Sequence, residues 1–259
     1  MTDHPSATRY TGRNTPALDR LRRIAWQLGP IAERVVFIGG AVAPLLQTDD
    51  VLPRVRPTHD VDAVIATSSY AELGPLREAL SARGFSEAPV PPELDAPMHM
   101  HRWIAPAGGG PFDLVPVGAH AGGTGGVPDT YAVESAVRVD LRESDTAAPC
   151  IVQHVSAVAF LMLKWAAHGD RGQHAPFESH DLEDIIAVVA SRSTVVEECR
   201  VAPRHVREYL AEHCREFLAD ADTAEELIAA NLPLPPTTVV QVRTAVLQRL
   251  QDLAAVDEG

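Results

Sequence analysis

The sequence predicts an α/β half built on a short mixed sheet, followed by an α-helical half. Short β-branched runs, punctuated by Gly and Pro, recur through the first 150 or so residues and read as strands. From residue 154 onward the apolar residues recur at helical spacing. At 259 residues the chain is long enough for one large domain or two of ordinary size.

Residues 1–14 are polar and read as a flexible tail. Thr15-Pro16 opens a helix with Leu18, Leu21, Ala25 and Leu28 on one stripe, which Gly29-Pro30 stops. Arg34 to Ile38 is a strand ending at Gly39-Gly40, and Ala41 to Gln47 is a short helix. Thr48 to Pro57, with two prolines and two arginines, is a loop before the strand that carries Val61 to Ile65. Ser68 caps a helix over about 69–82 with Leu73, Leu76 and Leu80 inward and Gly84 as its stop. Val90 to Pro97 is loop, His99 to Ile104 alternates like a strand, and Gly108-Gly109-Gly110 turns it into a second strand around Asp113. A Gly-rich loop over 118–128 precedes a strand over 136–141. Helices follow near 154–168, 180–191, 202–219, 221–230 and 237–255. The joint lies near 143–153, dividing an α/β domain over 15–150 from a helical domain over 151–259.

Three acids stand out. Asp60 and Asp62 begin the run Asp60-Val61-Asp62-Ala63-Val64-Ile65, and Asp113 lies in Phe112-Asp113-Leu114-Val115. Strand side chains alternate faces, so Asp60 and Asp62 point the same way. If the Asp113 strand lies beside theirs, a third carboxylate joins them. Such a cluster needs a cation, a proton or full hydration. A divalent ion is the economical answer, and oxygen-only ligation favours magnesium or manganese. His99 and His101, two apart on a strand, are not read as zinc ligands because no cysteine or acid stands at tight spacing.

Upstream, Gly39-Gly40 lets the backbone turn sharply and approach a ligand without a Cβ in the way. The start of the following helix suits a phosphate. Alone, the pair would read as a plain tight turn. It is neither a Walker loop nor a dinucleotide fingerprint. Downstream, the chain's only lysine, Lys164, belongs to the apolar helical run that begins Val155 to Leu163. A charge there needs a partner or a wet cavity, unless it snorkels to the surface. Ser179 reads as an N-cap, with Asp181 just behind it.

The net charge of −13 and pI near 5.2 argue against broad, non-specific nucleic-acid binding, which needs a basic surface. Arg54 and Arg56, directly before the acidic pair, form a local basic group suited to phosphate or an RNA end. Arg20, Arg22 and Arg23 read as the polar face of a helix. No apolar run is long enough for a membrane span. Three cysteines without metal spacing fit a reducing cytoplasm.

The order Gly-Gly, short helix, Asp-x-Asp, later strand Asp resembles the nucleotidyltransferase superfamily related to DNA polymerase β. The run Arg56-Pro57-Thr58-His59-Asp60-Val61-Asp62 is similar to the Arg-x-Ser/Thr-x-Asp-x-Asp of the AbiEii/AbiGii-type toxin nucleotidyltransferases, which include the MenT toxins. Lys164 followed by Asp181-Leu182-Glu183-Asp184 is similar to that family's helix lysine and Lys-Asp-Leu-x-Asp-like segment, with His180 where a lysine is common. The likeness covers roughly residues 34–190, and residues 192–259 carry no matched motif.

The resemblance implies a nucleotidyltransferase fold in the α/β half and a helical half that completes the nucleotide site. It implies Asp60, Asp62 and Asp113 as ligands of Mg2+ or Mn2+. It implies Gly39, Gly40, Arg56, Thr58 and Lys164 as contacts of a nucleoside triphosphate, and Asp181 as partner of Lys164 or a further acid. A tRNA 3′ end or a protein hydroxyl is the implied acceptor, and a cognate antitoxin the implied partner. Competing readings are an antibiotic-type nucleotidyltransferase, a manganese glycosyltransferase and a nucleotide-binding protein without catalysis.

Overall fold

The structure, a computed structural model, describes residues 7–52, 57–67, 72–89, 102–117, 127–172 and 175–258. It divides into two compact units, one of Met1–Pro44 with Pro57–Val155, the other of Leu45–Arg56 with Ser156–Gly259.

The first unit is built on one mixed sheet. Its strands are β1 (Thr8–Arg9), β2 (Val35–Ile38), β3 (Val61–Ala66), β4 (Ser86–Glu87), β5 (Arg102–Ala105), β6 (Gly110–Val117), β7 (Val137–Asp140) and β8 (Ile151–His154). The spatial order is β1-β7-β8-β2-β3-β6-β5-β4, wider than the short sheet expected. Helix α1 (Pro16–Leu28) starts where Thr15 accepts a hydrogen bond from the Leu18 N–H, and it buries Leu18, Leu21, Ala25 and Leu28 as its stripe predicts. The tetrapeptide helix α2 (Ala43–Leu46) follows the 3-10 turn Gly40–Val42.

Helix α3 (Leu73–Ala82) lines an apolar seam with Ile65, Trp103, Leu114 and Pro116. Alternation along the strands therefore puts Asp62 and Asp113 on the sheet face opposite that seam. Phe85 packs on Phe112 with ring centroids 5.7 Å apart and a tilted geometry.

Three sequence expectations are corrected here. Residues 8–9 are not tail: they pair in parallel with Val139 and Asp140 of β7. The joint expected at 143–153 lies inside the sheet unit, because β7 and β8 pair antiparallel and β8 pairs with β2. Residues 127–134 form helix α4 (Val127–Glu134), which the Gly-rich and Pro-rich sequence around it hid.

The second unit consists of α5 (Ala157–Ala167), α6 (His180–Ser191), α7 (Val195–Arg200), α8 (Arg204–Phe217), α9 (Ala221–Ala230) and α10 (Pro236–Ala254). The helix expected over 202–219 is therefore preceded by a separate short helix, α7. Ser156 and Ser179 cap α5 and α6 by accepting from the Ala159 and Leu182 N–H groups. Arg249 Nη1 donates to the Val189 and Ala190 carbonyls at 2.6 and 3.0 Å, satisfying groups that every helix C-terminus leaves open. Residues 45–52, expected as the end of a short helix and the start of a loop, belong with these helices. Asp49 N–H donates to Ser191 O at 2.8 Å and its carboxylate accepts from Ser193 N–H at 2.7 Å.

Cys150, Cys199 and Cys214 are free thiols. Burial pushes Cys199 up to about 12 and Cys214 higher still, so both are inert apolar fillers. No helix among the described residues is long and apolar enough to cross a membrane.

Candidate metal centre

Strand register assembles the site. β2 and β3 are antiparallel with Ile38 opposite Asp62, β3 and β6 are parallel with Asp62 opposite Asp113, and β5 and β6 are antiparallel with Arg102 opposite Asp113. Ile38, Asp62, Asp113 and Arg102 thus form one row across four strands. Asp60 enters one pleat earlier on the same face. One carboxylate oxygen each of Asp60, Asp62 and Asp113 lies within 4.8 Å of the other two, and all three residues are half-buried.

The donor set fits the expected ion. Mg2+ and Mn2+ prefer hard oxygens in an octahedron at ~2.1 Å, which puts ligand oxygens at most about 4.2 Å apart. The three carboxylate oxygens, within 4.8 Å of one another, would draw closer to ligate one such ion.

Gly39 is fitted to the acids rather than only to the turn. Its φ of 70° and ψ of −166° lie in a region open essentially to glycine alone. A Cβ there would collide with Asp62 Oδ2 and stand 3.0 Å from Asp62 Cγ. The missing side chain is therefore the recess into which the Asp62 carboxylate fits. Gly40 is buried at the head of the 3-10 turn.

Thr58, expected at the triphosphate, donates its hydroxyl to Asp60 Oδ1 at 2.8 Å. Arg20 Nη1 holds the Thr58 carbonyl at 2.7 Å. Arg22 Nε donates to Leu141 O at 2.6 Å, and its Nη1 bonds Asn14 and Asp19. The helix-face arginines Arg20 and Arg22 thus brace the sheet unit. Arg54, Arg56, Ser68, His99, His101, His174 and the glycines at 118–126 lie outside the described residues.

The sequence reading overlooked Arg102. Its fork closes on both oxygens of Asp113, Nε to Oδ1 at 2.7 Å and Nη2 to Oδ2 at 2.5 Å. The same Nη2 stands 3.9 Å from Asp60 Oδ2. The hydrogen bond to Asp113, reinforced by the charges of Asp113, Asp60 and Asp62, raises the guanidinium's pKa despite some desolvation. The turn occupies 106–109 rather than the expected Gly108–Gly110, and it fixes the hairpin register. Counting back from it places residue 102 opposite residue 113.

In the helical unit, Lys164 is 7% exposed, so it does not snorkel. Its ammonium lies 3.0 Å from Asp181 Oδ1 and 2.6 Å from Asp184 Oδ2. Asp181 is the partner expected. Asp184 was not foreseen, yet it sits one turn along α6, where an i,i+3 pair shares a face. His168 Nδ1 and Ser179 Oγ are 2.9 Å apart. Burial lowers the His168 pKa, against an opposing pull from Asp181.

No protein-family model matches the chain, and no curated protein matches it.

Proposed function

We propose that the chain is a divalent-metal-dependent nucleotidyltransferase that moves a nucleoside monophosphate from a triphosphate to an acceptor hydroxyl. The observation carrying this reading is the convergence of Asp60, Asp62 and Asp113 from two parallel neighbouring strands, beside a glycine turn that leaves room for the middle carboxylate.

In the reaction, the acceptor oxygen bonds to the α-phosphorus and the bond to the bridging oxygen of the β-phosphate breaks. Pyrophosphate leaves, and the hydroxyl proton passes to a carboxylate or to water. The bound ion supplies positive charge against the triphosphate and the leaving pyrophosphate. Asp60, Asp62 and Asp113 would hold it. Thr58 and the Gly39 recess orient Asp60 and Asp62, so that ordering cost is met when the chain folds.

The acceptor is a tRNA 3′ end or a protein hydroxyl, and the reading includes a toxin held off by an antitoxin. The test is incubation of the full chain with each labelled nucleoside triphosphate, Mg2+ or Mn2+, total tRNA and cell protein, beside Asp60→Ala. Label on RNA or protein that disappears in the variant supports the reading. Transfer that survives the substitution removes Asp60 from the chemistry.

A further inference from the structure

We propose that Arg102 is an exchangeable counter-cation of the carboxylate cluster, holding its Asp113 end in the metal-free protein and competing with a divalent ion for the same oxygens. The inference rests on the metal-binding part of the proposed function and concerns what sets the ion's affinity.

The acids are held in different ways. Asp60 takes a hydrogen bond from the neutral Thr58 hydroxyl at 2.8 Å, and Asp62 lies in the Gly39 recess. Asp113 instead takes a bidentate guanidinium on both oxygens, the geometry in which arginine matches a carboxylate best. That guanidinium also faces Asp60 at 3.9 Å, so it stands at the open end of the cluster. Cross-strand pairing of Arg102 with Asp113 makes this position a consequence of register.

Among the described residues, one guanidinium faces the three carboxylates and leaves two excess negative charges, and a divalent ion in its place leaves only one. An ion bound to Asp113 and Asp60 would repel the guanidinium and claim its acceptor oxygens. Arg102 can yield them cheaply. Its side chain is 47% exposed, so the head can swing into water without leaving a buried charge unpaired. Arg102 therefore keeps three like charges together until the ion arrives, at the expense of the ion's affinity.

The test is a Mn2+ titration of the full chain at low ionic strength, with free Mn2+ followed by electron paramagnetic resonance. Arg102→Gln is expected to bind Mn2+ about tenfold tighter or more, the scale on which one neighbouring unit charge alters a carboxylate's cation affinity. Arg102→Lys, which keeps the charge, stays close to the parent. Unchanged or weaker binding in folded Arg102→Gln overturns the proposal.

A second readout needs no substitution in the protein observed. The Arg102 Nε–H resonance, identified by its loss in Arg102→Lys, should move on Mg2+ saturation. A resonance that stays in place in the Mg2+-saturated protein also overturns the proposal. If neither parent nor Arg102→Gln takes up Mn2+, the metal site falls with it. If the exchange occurs but no nucleotide is transferred, the proposal stands and the nucleotidyltransferase reading falls.

Discussion

The three-aspartate cluster of the sheet and the Lys164 cluster of the helical unit both carry more acid than base, and they differ in burial. Among the described residues, Asp60, Asp62 and Asp113 share one guanidinium at a half-buried sheet face, with side chains 40% and 22% exposed at Asp60 and Asp113. Asp181 and Asp184 share one ammonium between α5 and α6, with Lys164, Asp181 and Asp184 side chains 9%, 5% and 3% exposed. Water can screen the first cluster and replace any member of it. In the second, each charge depends on the others, because an uncompensated buried ion is costly. The first arrangement suits exchange of a cation, and the second suits holding two helices in register.

The largest expected effect is on chemistry. Asp62→Asn should lower nucleotidyl transfer by about a thousandfold or more, since it removes a charge from the proposed metal centre. Its thermal midpoint should stay level or rise, because one of three repelling charges is gone. A marked fall in the midpoint would break the contrast from the sheet side.

Lys164→Met tests the other side. It removes the ammonium that faces both buried carboxylates and should cost ~3–5 kcal/mol in urea unfolding. If stability is unchanged while transfer is lost, Lys164 acts on substrate and the contrast fails.

Gly39→Ala sharpens the sheet side. The added Cβ meets Asp62 at a backbone conformation that alanine avoids, at ~1–3 kcal/mol, and it should weaken Mn2+ uptake alongside stability. Thr58→Val removes one hydrogen bond to a charged acid, so transfer should fall about tenfold, in line with ~1.5 kcal/mol, with little change in unfolding.

The smallest effect is a pH slope. Burial lowers the folded pKa of His168, so the unfolded chain takes up the proton first. Stability from this group is full above the ordinary histidine value of ~6.5 and is lost as pH falls toward the lower folded value. His168→Gln should show a shallower loss over that window in paired melts. Identical slopes would contradict the assignment.

What was legible in the sequence followed local rules. Period-two spacing put Asp60 and Asp62 on one face, and the β-branched run around Asp113 made a neighbouring strand plausible. Capping chemistry found the starts of α1 and α6 at Thr15 and Ser179. What stayed hidden depends on pairing between distant segments. Thr8 and Arg9 become a strand only because β7 is there to receive them. Residues 45–52 belong with the helices through the Asp49 contacts to Ser191 and Ser193, which composition does not announce. Gly39 was legible as a turn but not as the recess for Asp62, since that role needs the β2–β3 register. Arg102 stayed hidden because the Gly108–Gly110 turn expected from sequence would set Ala105 opposite Asp113, whereas the turn at 106–109 sets Arg102 there.

The most direct measurement is anomalous diffraction at the manganese edge from crystals grown with Mn2+ and a non-hydrolysable nucleoside triphosphate. The account predicts a peak enclosed by the carboxylates of Asp60, Asp62 and Asp113, with triphosphate density beside it. Ordered nucleotide with no peak at those three carboxylates would contradict it.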